Sequence, residues 1–194
     1  MTDNFTEKKI AILETTLELI KENGFHGTPI SMVVKKSGVA AGTIYHHFEN
    51  KDRLICELFS YVTEKMLAAA KEGDDEAAPY EERFLNLWKN LYNFHTKNPN
   101  VPLFFDQYIN SPYFEKKPKE EINCFHRYIF SFIREGINQG HLKPVNPEIL
   151  GVLLSTTAIT SFKIQSHGKI KAGATELEQI IQIIWDGVAR EKTS

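Results

Sequence analysis

The sequence predicts an all-α protein. Hydrophobic residues recur at helical spacing in nearly every segment, and no run shows the two-residue alternation of a half-buried strand. In the first predicted helix, Ile10, Leu13, Leu17 and Ile20 are spaced three, four and three residues apart, which places them on one face. Gly24 follows at the position where a residue in the left-handed conformation commonly ends a helix.

Start and stop signals divide the chain into about nine helices. Thr28 and Pro29 are typical of an N-cap followed by the first helical residue, and Gly38 ends the short helix that they begin. Asn50 is predicted to cap a long fourth helix, and the polar segment 72–79, which contains Gly and Pro, is typical of a loop. The predicted helices span approximately residues 6–23, 28–37, 40–47, 50–71, 79–97, 101–110, 117–139, an eighth from 146, and 175–191.

Composition indicates a globular protein of 194 residues with 42% hydrophobic content, enough for a sizeable core. No apolar run approaches the ~18–20 residues that a membrane helix requires. The N-terminal segment lacks the basic and apolar regions of a signal peptide, so we expect a cytoplasmic protein that does not contact a membrane. Cys56 and Cys124 are expected to be reduced thiols without a catalytic or metal-binding role.

Charge alone does not indicate a nucleic-acid partner. The net charge is −2, and residues 1–53 carry seven Lys or Arg against seven Asp or Glu. The strongly basic composition that is typical of DNA-binding proteins is therefore absent. From Thr28 to Arg53 the four cations outnumber the two acidic residues, a small local excess. DNA binding must be argued from the pattern of residues.

Two short helices joined by a turn at Gly38 match a helix-turn-helix unit. Four residues are spaced to form its shared core: Val33, Val39, Ile44 and Phe48. The third helix exposes polar and aromatic side chains that can contact bases or phosphates. Lys51 begins the fourth helix, where a cation opposes the helix dipole, and this placement favours a bound phosphate. The alternative is a surface lysine that is simply tolerated.

The run from Gly24 to Thr28 and the run GVAAGTIYHHFENKDRL from Gly38 to Leu54 resemble the DNA-binding domain of the tetracycline-repressor (TetR) family. The resemblance covers residues 6 to about 60. It implies a homodimer whose third helix enters the major groove of double-stranded DNA at a palindromic operator, with Tyr45, His47 and Lys51 on phosphates. It also implies that the fourth helix joins a DNA-binding domain, residues 1–66, to a ligand-binding and dimerisation domain, residues 67–194.

Two positions depart from the family pattern. Ala40 stands where Ser or Thr usually caps the third helix, and Ala41 stands where a polar or basic residue is common. Base recognition is therefore expected to depend chiefly on Thr43 and His46, with Ala41 packing on a thymine methyl group. The predicted DNA-contacting residues are Thr28, Ser31, Ala41, Gly42, Thr43, Tyr45, His46, His47 and Lys51.

No catalytic, metal or cofactor site is predicted. His46 and His47 are adjacent, and neighbouring helical residues point ~100° apart, so the pair is poorly placed to chelate one ion. The remaining histidines, including His167, are scattered without ligand spacing. The sequence contains no phosphate loop, HExxH motif or Ser/His/Asp order, which argues against an enzyme.

The last two predicted helices are the expected dimer interface. The final helix carries apolar residues at helical spacing from Leu177 to Val188, and the preceding one is apolar over much of its circumference. The family resemblance implies that these helices pair across a two-fold axis. The alternative is packing within one subunit. The predicted interface residues are Leu153, Ile181, Ile184, Trp185 and Val188.

Aromatic residues are concentrated in the middle of the chain. Fourteen of 22 lie between Tyr80 and Phe132. Such a concentration is typical of an aromatic core and also of a pocket for a small apolar or aromatic ligand. Few carboxylates fall in this segment, with Asp106 the best placed, which favours a neutral or anionic ligand over a dication. The predicted ligand-binding residues are Trp88, Tyr92, Phe105, Tyr108, Phe125, Tyr128 and Phe162.

Taken together, these features favour a DNA-binding transcriptional regulator, most often a repressor in the family that the chain resembles, controlled by a small hydrophobic ligand. A helical protein-interaction or ligand-binding module with lost or weak DNA binding is the alternative, because the predicted base contacts are few and the charge is near neutral.

Overall fold

The computed structural model describes residues 6–115, 123–166, 168 and 173–191. Within these ranges the regular structure is helical, apart from one isolated bridge between Leu142 and Ala189, and the predicted all-α class is confirmed. The helices are α1 (Glu7–Asn23), α2 (Ile30–Ser37), α3 (Ala41–His47), α4 (Lys51–Ala70), α5 (Tyr80–Lys97), α6 (Asn100–Ile109), α7 (Pro112–Glu115), α8 (Cys124–Asn138), α9 (Pro147–Ser166) and α10 (Ala174–Val188).

Two helix starts differ from the prediction. Helix α2 begins at Ile30 with Pro29 in the N-cap position, and the Thr28 hydroxyl donates to the Gly24 carbonyl over 2.8 Å instead of capping α2. Helix α8 begins at Cys124, where the Asn123 side chain accepts from the His126 amide; residues 117–122 of the predicted helix lie outside the described residues. The single-turn helix α7 is an additional element that hydrophobic spacing is too coarse to detect.

The chain forms two compact units. Residues 1–63 and 99–121 form unit 1, and residues 64–98 and 122–194 form unit 2. The division at 63/64 falls inside α4, close to the predicted domain boundary at 66/67. Helices α6 and α7 belong to unit 1 with the helix-turn-helix, whereas the sequence predicts them in the C-terminal domain. The first unit therefore combines segments that are distant in sequence.

Helix α6 packs on α1 in unit 1. Phe104 meets the Phe25 ring edge to face at 5.9 Å between centroids, and Tyr113 lies 5.3 Å from the same ring. The Gln107 amide donates to the Ile20 carbonyl at the end of α1 over 3.3 Å. The same carbonyl accepts the Gly24 amide over 2.8 Å, so the α6 side chain adds a second hydrogen bond at the end of α1.

The first half of α4 completes the core of unit 1. Leu54, Ile55 and Leu58 are buried, and the Tyr61 hydroxyl donates to the Glu14 carboxylate of α1 over 2.5 Å. Phe59 stacks on Tyr108 of α6 at 4.5 Å. The apolar stripe of α4 is therefore covered by α1 and α6.

In unit 2, α5 packs along α9 and α8 packs on α9. The Trp88 indole nitrogen donates to the Thr157 hydroxyl over 3.0 Å, and the Tyr92 hydroxyl bonds the Gln165 side chain. Gly136 allows α8 to approach Tyr80 closely, since a Cβ there would lie 2.3 Å from the phenol ring. The Tyr80 hydroxyl then donates to the Phe132 carbonyl over 3.0 Å.

A partly buried ion pair connects the segment after α4 to α5, and a tyrosine of α8 lies beside it. The Arg83 guanidinium donates to both carboxylate oxygens of Asp74 over 2.8 and 2.9 Å, and the Tyr128 hydroxyl lies 3.5 Å from the same carboxylate. Hydrogen bonding by Arg83 holds the pKa of Asp74 below its usual value. Bidentate Arg–carboxylate pairs are geometrically specific, so this contact positions the loop between α4 and α5.

His95 of α5 gives unit 2 a pH-dependent stability. The ring is 1% exposed, and burial followed by the charge of Lys163 lowers its pKa to about 4. Between pH 6.5 and 4 the unfolded chain binds the proton and the folded chain does not, so the free energy of unfolding falls with falling pH, by up to about 3 kcal/mol at pH 4. Urea denaturation at several pH values measures this slope. In His95→Gln the loss of unfolding free energy between pH 6.5 and 4 is expected to be smaller by that amount. An equal loss in both proteins would contradict the role of His95.

Candidate nucleic-acid interface

The turn between α2 and α3 has the geometry of a helix-turn-helix. Gly38 adopts φ 68° and ψ 4°, the left-handed conformation that costs a non-glycine residue about 1–2 kcal/mol. The Val39 amide donates to the Ser37 hydroxyl over 3.2 Å. Val33, Ile44 and Phe48 are fully buried, as predicted, and Val39 is half-buried at the edge of this core. The turn therefore fixes how α3 projects from the unit.

Helix α3 turns its small and polar residues outward. Ala41, Gly42, Tyr45 and His46 are exposed, whereas Thr43 is half-buried. No side chain caps α3, because its N-cap is Ala40. The exposed surface offers few hydrogen-bonding groups to base edges, which matches the limited readout expected from the sequence.

His46 and His47 lie beside the start of α1. Their ring centroids are 5.6 Å apart, and the Lys9 ammonium lies 5.8 Å from the Phe48 ring. Burial, followed by the positive neighbours His46, Lys9 and Lys8, lowers the pKa of His47. Sequence reasoning missed the two lysines, although an adjacent pair of cations beginning the first helix was a visible signal. They place positive charge near the end of α3, where a phosphate backbone would be attracted, although the ion pair of Lys9 with Glu57 at 3.1 Å neutralises part of it.

Lys51 joins the start of α4 to the turn after α1. Its ammonium donates to the Phe25 carbonyl over 2.5 Å, and burial lowers the pKa of the half-buried amine. Asn50 accepts from the Arg53 amide over 2.9 Å and caps α4, as predicted. An ammonium has three protons, so Lys51 can keep its bond to Phe25 and still donate to a phosphate.

Other predicted contact residues divide by exposure. Ser31 is exposed on α2, but Thr28 is only 2% exposed and its hydroxyl is used inside the unit, which removes it from the contact surface. Lys36 forms ion pairs with Glu18 at 3.5 Å and Glu22 at 3.2 Å. The small local excess of positive charge is thus partly neutralised within the unit.

The residues predicted to bind a ligand do not fall in one unit. Phe105 and Tyr108 belong to unit 1, whereas the others belong to unit 2: Trp88, Tyr92, Phe125, Tyr128 and Phe162. Most of these side chains are buried, and Phe105 and Tyr128 are half-buried. Among the residues with described positions, no three His, Cys, Asp or Glu side chains are grouped to hold a metal ion.

The predicted dimer-interface residues also divide. Ile181 is 2% exposed and Trp185 is 9% exposed, with its ring 5.2 Å from Phe84 between centroids, so both serve the core of unit 2. Leu153, also predicted, is 47% exposed on α9 beside the exposed Ile149 and Val152, and Ile183 is the exposed large apolar residue of α10. Ile184 and Val188 are half-buried. Helical spacing identified the apolar stripe of α10 but did not show which part of it is exposed.

The geometry defines a helix-turn-helix DNA-binding protein with a helical second unit, and comparison with known proteins agrees. Residues 12–58 match the family of bacterial regulatory proteins of the TetR type, and residues 79–189 match a tetracycline-repressor-like C-terminal domain. The chain belongs to the TetR family of transcriptional regulators. In the part of the chain that the structure describes, no helix is long and apolar enough to cross a membrane.

Relatives and solved structures support the family assignment. An HTH-type transcriptional regulator of Haemophilus influenzae is 30% identical over 180 residues, which cover 92% of this chain and 94% of that protein. A solved TetR-family regulator from Haemophilus influenzae is 28% identical, with a TM-score of 0.81 over 95% of this chain and 97% of that one. A structure of the regulator FadR from Bacillus subtilis in complex with stearoyl-CoA has a TM-score of 0.75 at 20% identity, covering 92% and 98% of the two chains, a likeness of fold alone.

Substitutions of Lys51 and Thr43 distinguish contact with the DNA phosphates from recognition of the bases. Lys51→Ala is expected to weaken operator binding about equally across DNA sequences and to reduce the salt slope by ~1 for each phosphate that is no longer bound. Thr43→Ala is expected to relax discrimination at one base pair in each half-site while leaving the slope unchanged. Fluorescence anisotropy over a salt series measures both. Lys36→Ala, which removes a cation already paired with two glutamates, is the matched control and is expected to change little. A Lys51→Ala variant that is folded and has unaltered affinity would rule out the phosphate contact.

Proposed function

We propose that this regulator is a homodimeric repressor that leaves a palindromic operator when a small hydrophobic ligand binds. The observation that carries the proposal is the exposed face of α3, held out from the unit by the Gly38 turn and flanked by Lys51 and by the lysines of α1. A three-helix unit of this kind inserts its last helix into the major groove. Recognition of successive half-sites then requires two copies related by a two-fold axis.

The exposed apolar stripe on α9 supports dimerisation. Ile149, Val152 and Leu153 are at spacing i, i+3 and i+4, so they share one helix face, and Ile183 on α10 is 71% exposed. Apolar faces of this kind commonly mark protein–protein contacts. A second copy of this chain is the partner that a two-fold operator requires.

Charged substitutions on this stripe are expected to disrupt the dimer. Leu153→Glu or Ile183→Glu would bury an unpaired carboxylate in an apolar contact, so sedimentation should show a shift from dimer to monomer. Ile109→Glu is the control, because it changes an exposed isoleucine of α6 and should remain dimeric. Ile181→Glu should instead unfold unit 2 because its side chain is in the core. A monomeric wild type would refute the dimer, and dimeric Leu153→Glu and Ile183→Glu variants would place the contact elsewhere.

The aromatic residues and one relative support a ligand with a long apolar part. A fatty acid metabolism regulator of Bacillus subtilis is 25% identical over 138 residues, covering 70% of this chain, and the FadR structure holds stearoyl-CoA. The predicted ligand-binding side chains in unit 2 include Trp88 and Tyr92, whose rings stack at 5.7 Å on one face of α5. Fatty acyl thioesters are therefore the ligand class to test first.

Stearoyl-CoA is expected to lower operator affinity. Ligands of allosteric proteins typically change affinity for a second partner by about 5–150-fold, because they bind one of two conformations better. Titration of the protein–operator complex with stearoyl-CoA, and with CoA alone as control, measures this. Trp88 fluorescence in a Trp185→Phe background should change over the same concentration range.

Selection from a random pool of oligonucleotides distinguishes the alternative function, a helical module without DNA binding, from the proposed one. A module that has lost DNA binding would select no sequence from a random oligonucleotide pool. A selected palindrome whose affinity is unaffected by saturating stearoyl-CoA would leave a DNA-binding regulator and remove this ligand class.

A further inference from the structure

Tyr108 occupies the centre of the contact between α4 and α6 in unit 1. The residue is 0% exposed. Its ring stacks on Phe59 at 4.5 Å, lies 5.6 Å from Phe104 and meets Phe114 edge to face at 6.2 Å. A polar hydroxyl is therefore enclosed by aromatic carbon.

Among the residues that the structure describes, no group accepts or donates a hydrogen bond at the Tyr108 hydroxyl. Other tyrosine hydroxyls in the chain do have partners: that of Tyr61 donates to Glu14, that of Tyr80 to the Phe132 carbonyl, and that of Tyr92 is bonded to Gln165. A buried polar atom without a partner destabilises the fold, and native proteins contain few of them. Phenylalanine would give the same packing without this cost.

The chemistry of the hydroxyl restricts what could satisfy it. Burial, followed by the nearby Cys56, raises the pKa of the phenol, so the group stays protonated and donates a hydrogen bond at physiological pH. The neighbouring side chains are aromatic rings and a thiol. In apolar surroundings a neutral acceptor is favoured over a carboxylate, since an unpaired buried charge is much more costly to desolvate.

We propose that the Tyr108 hydroxyl donates a hydrogen bond to a neutral carbonyl oxygen of the regulatory ligand, as found in a thioester, ester or ketone attached to an apolar chain. This inference rests on the proposed function, which supplies the ligand, and adds the group that selects it. Tyr108 itself lies in the same compact unit as the helix-turn-helix.

The position of Tyr108 gives such a contact a short route to the DNA-binding surface. Phe59 and Cys56 are on α4, and Cys56 is five residues after Lys51, a rise of ~7.5 Å along the helix. One turn before Tyr108, Phe104 contacts the Phe25 ring, and the carbonyl of Phe25 accepts from Lys51. A ligand carbonyl that shifts α6 relative to α4 would thus affect both partners of this hydrogen bond: Lys51 through α4, and Phe25 through its contact with Phe104.

A matched pair of ligands tests the hydrogen bond. Stearoyl-CoA has a thioester carbonyl, and S-octadecyl-CoA has a methylene in its place. Wild type is expected to bind stearoyl-CoA about tenfold more tightly than S-octadecyl-CoA. A tenfold ratio corresponds to about 1.4 kcal/mol, the contribution of one net hydrogen bond. In Tyr108→Phe the affinity for stearoyl-CoA should fall about tenfold and the preference should vanish, while the affinity for S-octadecyl-CoA is unchanged.

Thermal stability separates a ligand contact from a structural one. Tyr108→Phe is expected to keep or raise the Tm of the unliganded protein, because the substitution removes an unsatisfied buried hydroxyl. Tyr80→Phe is the matched control: it removes a hydroxyl that donates to the Phe132 carbonyl, so it should lower Tm and preserve the ligand preference.

Three outcomes would overturn the inference. A Tyr108→Phe variant with lower Tm and unchanged ligand preference would make the hydroxyl structural. Equal binding of both compounds to wild type, with release of the operator, would refute the carbonyl contact and leave the proposed function intact. Failure of both compounds to bind or to affect operator affinity would refute the proposed ligand class, and the inference with it.

Discussion

The Lys51 ammonium donates to the Phe25 carbonyl, and the ring of the same Phe25 packs against Phe104 and Tyr113. This turn after α1 thereby connects the start of α4, which faces DNA in the proposed complex, to α6 and α7. Glycines flank the turn for two reasons: Gly24 leaves α1 at a positive φ of 70°, and a Cβ at Gly27 would lie 2.3 Å from the Asn23 carbonyl oxygen. The Lys51–Phe25 bond thus joins the start of α4 to this turn, beside the bonds of Tyr61 to Glu14 and of Gln107 to Ile20 that also tie α4 and α6 to α1.

Charge in unit 1 is used for internal pairing as much as for recognition. Lys36 pairs with two glutamates of α1, and Lys9 bonds Glu57 over 3.1 Å, so a count of cations overstates what is available to phosphates. Exposed ion pairs contribute little to stability, but they lower the positive potential that drives non-specific DNA binding. DNA binding by such a regulator is expected to depend on a few specific contacts, chiefly those of α3 and Lys51.

Helices α6 and α7 place part of the aromatic segment inside the DNA-binding unit. In the predicted domains this segment belongs wholly to a separate ligand-binding body, which would require a signal to pass along α4. The structure groups residues 99–121 with residues 1–63, and Phe105 and Tyr108 both contact Phe59 of α4, the helix that begins at Lys51. Side chains of the aromatic segment thus pack on the helix that begins at the proposed phosphate contact.

The sequence by itself determined the features that depend on neighbours within one or two helical turns. Gly38 marks the helix-turn-helix because only a residue tolerant of positive φ suits that turn, and Val33, Ile44 and Phe48 follow from helical spacing. Tertiary structure alone decided which face of each helix is covered. Ile181 and Trp185 share the apolar stripe of α10 with more exposed residues, and Thr28 has the side chain of a cap, yet all three are buried. Helical spacing of apolar residues shows that a helix has an apolar face, but it does not show which element covers that face. The covering element can lie far away in sequence, as α6 lies far from α1 and α4.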